Sequence, residues 1–297
     1  MTLAKLPKLV VVGVGLIGGS FALALKGRGA VGEVVGVGRS RANLDDALAR
    51  GVVDRAVPRD GDWTRELRDA DVVLVATPVG EFPALFGEIG TSLSPDAVIT
   101  DGGSTKQDVV AAARAHLGAA LPRFVPAHPI AGTEHSGAKA AFASLFQGRQ
   151  VVLTPMPETG QAAKARVRAL WQSCGANVVE LDAGTHDRTL AAVSHLPHFL
   201  AAAYVADLAV RSDARQLFAL AGSGFRDFTR IAASSPAMWR DIGLANRDAL
   251  RAEVAAFRGA LDVLDAALGE RDGVALSTLL EGAAKARRAW GDRPTGD

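Results

Sequence analysis

Three of the chain's six histidines, His186, His195 and His198, fall within thirteen residues, and a fourth, His128, stands alone in a loop marked by proline and glycine. Imidazole changes charge near neutral pH, so such groups serve as proton acceptors, metal ligands or polar walls. His128 is the leading catalytic candidate. It follows a strand-like run in the segment Pro126-Ala127-His128-Pro129-Ile130-Ala131-Gly132-Thr133-Glu134. There it can take the proton of a substrate hydroxyl as hydride leaves the adjoining carbon; a capped or solvent-exposed loop histidine is the structural alternative. Zinc fits poorly, because Pro197 separates His195 from His198 and no cysteine accompanies them. No metal is expected, and the clustered imidazoles read as a polar substrate wall. Arg226 and Arg230, four apart, share one helix face with Asp227 adjacent. Two guanidiniums on one face suit a dicarboxylate, although an exposed helix with solvated charges has the same pattern. Trp239 lies farther along and can pack beneath that face.

Gly13, Gly15 and Gly18 form G-x-G-x-x-G between an apolar run at 9–12 and a stretch of Ala and Leu at helical spacing over 16–26. In that context the pattern means a dinucleotide site. Gly13 permits a tight turn, Gly15 lets backbone approach a pyrophosphate and Gly18 lets helix and strand pack closely. Leu16 and Ile17 open the helix whose N-terminal amides face the anion. The second strand ends in Val37-Gly38-Arg39-Ser40-Arg41, with no carboxylate to bond the adenosine ribose diol. Arg39, Ser40 and Arg41 suit a ribose 2′-phosphate instead, so NADP is the expected cofactor and NAD the alternative. Thr77 and Pro78 close another strand, and Asp101-Gly102-Gly103-Ser104-Thr105-Lys106 closes the next. Ser104 is expected to cap the helix that follows, and its hydroxyl is a candidate to orient a catalytic group.

Positioning these residues together requires a sheet whose strand ends converge. Short β-branched runs at 9–12, 33–37, 71–76, 97–100, 123–126, 150–153 and 177–181 alternate with helical stretches at 16–26, 44–50, 106–117 and 160–174. The pattern predicts an α/β fold, a Rossmann-type doubly wound parallel sheet. After residue 182 the texture becomes Ala- and Leu-rich and helical. We therefore expect a dinucleotide-binding domain over 1–182 and an all-helical, substrate-binding domain over 183–297. A long helix is expected from 236 to about 268, packing between subunits or only within its own domain. Lysine plus arginine number 33 against 32 acidic residues, so no global field recruits nucleic acid or a membrane. The single cysteine, Cys174, excludes an intramolecular disulfide and fits a cytoplasmic protein, and the first residues do not read as a signal peptide.

Taken together, the segments resemble the prephenate and arogenate dehydrogenase family from residue 9 to about 246. The resemblance lies in Gly13-Val14-Gly15-Leu16-Ile17-Gly18-Gly19-Ser20 and Ala76-Thr77-Pro78-Val79, and in residues 101–106, 128–137, 186–198, 224–231 and 238–242. It implies oxidative decarboxylation of prephenate or arogenate, with hydride transfer to NAD(P), in tyrosine biosynthesis. It also implies that His128 contacts the ring hydroxyl and that Ser104 hydrogen-bonds this histidine near the nicotinamide. His198 and Arg230 then bind substrate, Glu134 and Asp227 shape or gate the pocket, and the helical domain forms a homodimer. Two other readings stay open. A β-hydroxyacid dehydrogenase would use a helix-borne lysine, whereas the second domain has none before Lys285. A non-catalytic nucleotide sensor would leave the His and Arg constellation unexplained.

Overall fold

The computed structural model describes residues 5–133 and 135–291. β1 (Leu6–Val12) runs into the glycine turn and α1 (Leu16–Gly27), where β-branched residues give way to Ala and Leu. β2 (Val31–Gly38), α2 (Arg41–Ala49), β3 (Arg55–Pro58), β4 (Val72–Val75), α3 (Phe82–Ser92), β5 (Val98–Asp101), α4 (Gln107–His116) and β6 (Phe124–Val125) follow. Their six strands form one parallel sheet in the order β3-β2-β1-β4-β5-β6. The order reverses between β1 and β4, which opens a crevice at the carboxyl ends of those two strands. Along β1, Leu9 and Val11 enter one buried cluster with Phe21 and Trp171, while Val10 and Val12 enter another with Phe82 and Phe86. Alternate side chains thus feed separate cores on the two faces, and a strand covered on both sides has no place for a polar stripe.

The later strands depart from the single sheet expected. β7 (Ala127–Pro129), β8 (Gln150–Leu153) and β9 (Asn177–Glu180) form a second, three-stranded sheet, with β7 antiparallel to β8 and α5 (Gln161–Ser173) linking β8 to β9. Pro126 explains the switch. Lacking an N–H, it cannot continue the ladder from β6, and the next amide, that of Ala127, donates to Asp101 Oδ1 at 2.9 Å. His128 therefore leaves the main sheet and stands beside the carboxyl end of β5.

From residue 183 onward every regular element described is helical: α6 (Ala183–Leu190), a π-turn (Ala191–His195), α7 (Leu196–Ala209), α8 (Ala214–Ala219), α9 (Ser223–Thr229), a 3-10 turn (Arg230–Ala233), α10 (Pro236–Ala245), α11 (Arg247–Gly269) and α12 (Gly273–Gly291). The π-turn precedes Pro197, which has no N–H to return to the previous turn; the wider turn absorbs that mismatch. The single helix expected from 236 breaks at Asn246 (φ −105°, ψ 30°) into α10 and α11. Of the 23 residues of α11 only Ala267 is fully buried, and Leu261 and Val263, with Leu280 and Trp290 of α12, stay exposed. These helices do not close a core of their own within one chain.

Candidate active site

The turn after β1 is shaped for a close approach. Gly13 has φ +98°, and a Cβ there would lie 2.6 Å from Ala76 O; one on Gly18 would lie 2.3 Å from Gly13 O. Neither position admits a side chain, whereas the space around Gly15 is empty to 4 Å, so its backbone is open to a ligand. The adjoining cleft, about 350 Å³, is lined by Gly13, Gly15, Arg39, Ser40, Thr77 and Pro78 from the expected set, and by Asn43, Arg59 and Glu81 as additions. A glycine cradle, a helix N-terminus and two guanidiniums fit a dinucleotide. Gly18 lies buried behind this wall, and the partly buried Leu16 and Ile17 pack on the core rather than line the cleft. Arg41 turns away to Asp60 at 3.2 Å, and Ser40 also caps α2, accepting from Asn43 N at 3.3 Å. Arg39 and Arg59 each reach Glu81 at 2.9 Å.

Gly102 ties this cleft to the histidines. A Cβ there would lie 2.9 Å from Ile17 Cγ2 and 3.9 Å from Pro129 Cδ, so the start of α1, the end of β5 and the residue after His128 meet at one glycine. His128 is partly exposed, and its Nδ1 lies 2.9 Å from His186 Nε2. His186 is fully buried, with Nδ1 2.8 Å from Asp187 Oδ1. Burial, with His186, Lys106 and His195 nearby, holds the His128 imidazole well below its ordinary value of 6.5, so it is neutral and can accept a proton. Burial works against the Asp187 carboxylate, yet the bonds from His186 and from the amides of Gln107 and Lys106 hold its pKa below the ordinary range.

Ser104 departs from its expected role as a cap. α4 begins three residues later, at Gln107, and its first amides are taken by Asp187 from α6. No hydrogen bond joins Ser104 to His128; among the described residues its hydroxyl has no partner, and the only ring nitrogen of His128 so engaged faces His186. Asp101 holds both loops. Its carboxylate accepts from Gly103 N at 2.8 Å and from Ala127 N at 2.9 Å, each one residue from Ser104 or His128. Lys106, also wholly buried, donates to Asp101 Oδ2 and, at 2.8 Å, to Ala127 O.

A wall of imidazole and indole continues from this point. His198, 5% exposed, stacks on Trp239 with ring centroids 3.4 Å apart and planes at 10°, and Trp239 meets His195 edge-on at 6.0 Å. Burial brings His198 and His195 each down to about 4, so both are neutral donors or acceptors at working pH. Asn246 Nδ2 donates to Asp187 O at 2.7 Å and lies 3.1 Å from His195 Nδ1, which explains the helix break at this residue. Arg230 is exposed on a 3-10 turn that packs against α7, the helix carrying His198. Arg226 and Asp227 are exposed on α9 and make no side-chain hydrogen bond or ion pair among the described residues. Glu134 lies outside the described residues. Among the described residues no group of three or more His, Cys, Asp or Glu is placed to hold a metal ion.

Sequence reasoning missed Arg59, Glu81, Lys106, Asn246 and the partnership of His186 with Asp187. Only the last had a signal, an aspartate next to a histidine within the cluster, and neighbours on a helix ordinarily point apart.

Residues 21–180 match the family described as "Prephenate dehydrogenase, nucleotide-binding domain", and residues 182–281 match "Prephenate dehydrogenase, dimerization domain". The chain is 33% identical over 283 residues to a cyclohexadienyl dehydrogenase of Zymomonas mobilis, covering 95% of each protein. It is 38% identical over 245 residues to the prephenate dehydrogenase of Bacillus subtilis, a match spanning 81% of this chain but 64% of that longer protein. Among solved structures, prephenate dehydrogenase from A. aeolicus in complex with hydroxyphenyl propionate and NAD+ superposes with a TM-score of 0.88 at 33% identity, covering 97% of this chain and 100% of that one. With both halves matched and nearly the whole length aligned, the chain belongs to the prephenate dehydrogenase family.

Proposed function

We propose that the protein oxidises prephenate, arogenate or both, on the route to tyrosine. The observation that carries this reading is the neutral, hydrogen-bonded imidazole of His128 standing beside a glycine cradle shaped for a dinucleotide. Both substrates carry a ring hydroxyl, a ring carboxylate and a three-carbon side chain ending in a second carboxylate. When bound, the nicotinamide accepts the hydride. His128 draws on the hydroxyl proton, which raises electron density on that oxygen as hydride leaves the carbon bearing it. Loss of carbon dioxide then makes the ring aromatic and the reaction irreversible. Ser104, on a loop fixed through Asp101, supplies a hydroxyl to orient the reacting group. His198 and His195 form the neutral wall, and Arg230 binds a carboxylate. The helix-borne-lysine mechanism has no support here, since the Lys106 ammonium is sealed against Asp101 with no exposed surface.

Arg230→Ala is expected to raise KM for the substrate by about 10–100-fold, the worth of one charge-assisted bond, with kcat changed far less. Steady-state kinetics decide it, and an unchanged KM would remove Arg230 from carboxylate binding.

NADP is the proposed cofactor. Gly38 stands where a diol-binding acid is required, and Arg39 and Arg59 converge on Glu81 at the rim of the cleft. Arg39→Ala should raise KM for NADP at least about 10-fold and leave KM for NAD nearly unchanged; equal effects on both would contradict 2′-phosphate recognition. A homodimer completes the proposal, supported by the exposed apolar side chains of α11 and α12 and by the family to which residues 182–281 belong.

A further inference from the structure

Asp187 joins the two halves of the chain. Its Oδ1 accepts from Lys106 N and its Oδ2 from Gln107 N, each at 2.8 Å, so a carboxylate on α6 caps the first turn of α4. The same Oδ1 lies 2.8 Å from His186 Nδ1. An ionised carboxylate only accepts, so His186 Nδ1 carries a hydrogen, and Nε2 is the ring nitrogen placed to accept. His128 Nδ1, 2.9 Å from that nitrogen, must donate to it. Nε2 of His128 is then the nitrogen left with a lone pair, and it has no partner among the described residues.

Resting on the reading of His128 as proton acceptor, we propose that His186 and Asp187 are positioning residues: they hold His128 as the Nδ1–H tautomer and take over the positive charge formed in each turnover. The protons balance. The substrate hydroxyl proton passes to His128 Nε2 while the His128 Nδ1 proton passes to His186 Nε2. His128 ends this step neutral with the charge on His186 against Asp187, and once carbon dioxide has left, the ring oxygen, now a phenolate, takes the proton back from His128 Nε2 as His186 Nε2 returns one to His128 Nδ1. The other groups facing this chain are Lys106 at the start of α4, Asp101 at the end of β5 and His195 in the π-turn. Burial, His186, Lys106 and His195 all disfavour a cation on His128, whereas His186 touches a carboxylate directly. Transfer away from His128 is therefore the favourable direction.

The test uses the whole protein, labelled with ¹⁵N in its histidine rings, and the variant His186→Phe, which removes both ring nitrogens and leaves Asp187 on the amides of α4. In the resting wild type the His128 signals should report Nδ1 protonated and Nε2 bare. In the variant that preference should vanish, kcat should fall about 10²-fold or more with KM within a few-fold, and the acid limb of the kcat profile should move. A wild-type His128 protonated on Nε2 would overturn the proposal. So would a variant with wild-type kcat and pH profile, or one whose losses are confined to melting temperature and KM. The spectrum needs no substrate, so failure to oxidise prephenate or arogenate would sink the functional reading alone.

Discussion

Asparagine at position 128 lowers turnover by about 10²–10⁴-fold, the usual span of general acid–base catalysis, and leaves NADP affinity within about twofold. The Asn amide can still donate to His186 Nε2, so the buried hydrogen bond to the second half of the chain has a replacement. What disappears is the basic lone pair. No neighbour supplies it: Lys106 is committed to Asp101 and Ala127 O, and His195 Nδ1 faces Asn246. The glycine cradle and Arg39 belong to other elements and are untouched, which is why cofactor binding survives. Initial rates and a fluorescence titration with NADPH measure the two halves of this prediction. A variant retaining more than about a tenth of wild-type kcat would take His128 out of the proton-transfer step.

Lys106→Met destabilises the fold by about 3–5 kcal/mol, the usual result of breaking a buried pair from one side. Methionine nearly matches the lysine stem in length but removes the ammonium. Asp101, with no exposed surface, then keeps only the amides of Gly103 and Ala127 as donors, and Ala127 O loses its partner. Burial already pushes the Asp101 carboxyl upward against the pull of Lys106 and those amides, so without the lysine it protonates. A melting temperature lower by on the order of 10 °C follows, and activity falls with it because Asp101 fixes the loops carrying Ser104 and His128. The double variant Asp101→Asn with Lys106→Met should recover part of the loss, since no charge remains unpaired. A single variant as stable as the wild type would show that the pair does not hold these loops.

The nucleotide-binding half was legible because each of its signals is local. The β-branched run of β1, the three glycines and the Ala- and Leu-rich α1 each dictate their own conformation, and an unbroken apolar run marks a strand buried on both faces. His128 was legible for the same reason, as a histidine between prolines after a strand. The rest of the site is made of contacts between residues far apart in sequence. Asp187 caps a helix about eighty residues earlier, so nothing near Ser104 signals that its place as cap is taken. Asn246 breaks a helix through bonds to Asp187 and His195 rather than through glycine or proline, which is why one long helix was expected there. The second sheet escaped although β8 and β9 were expected as strands, because β7 is only three residues long and follows a proline, so it reads as the loop after β6. Arg59 escaped with β3, four residues whose pattern carries no clear alternation.

The central claim is tested most directly by incubating the purified protein with prephenate or arogenate against NADP or NAD, while following reduced cofactor and released carbon dioxide together. At least one of the two substrates should yield both products in equal amounts, faster with NADP than with NAD. Cofactor binding without oxidation of either substrate, or reduction without carbon dioxide, would contradict the account.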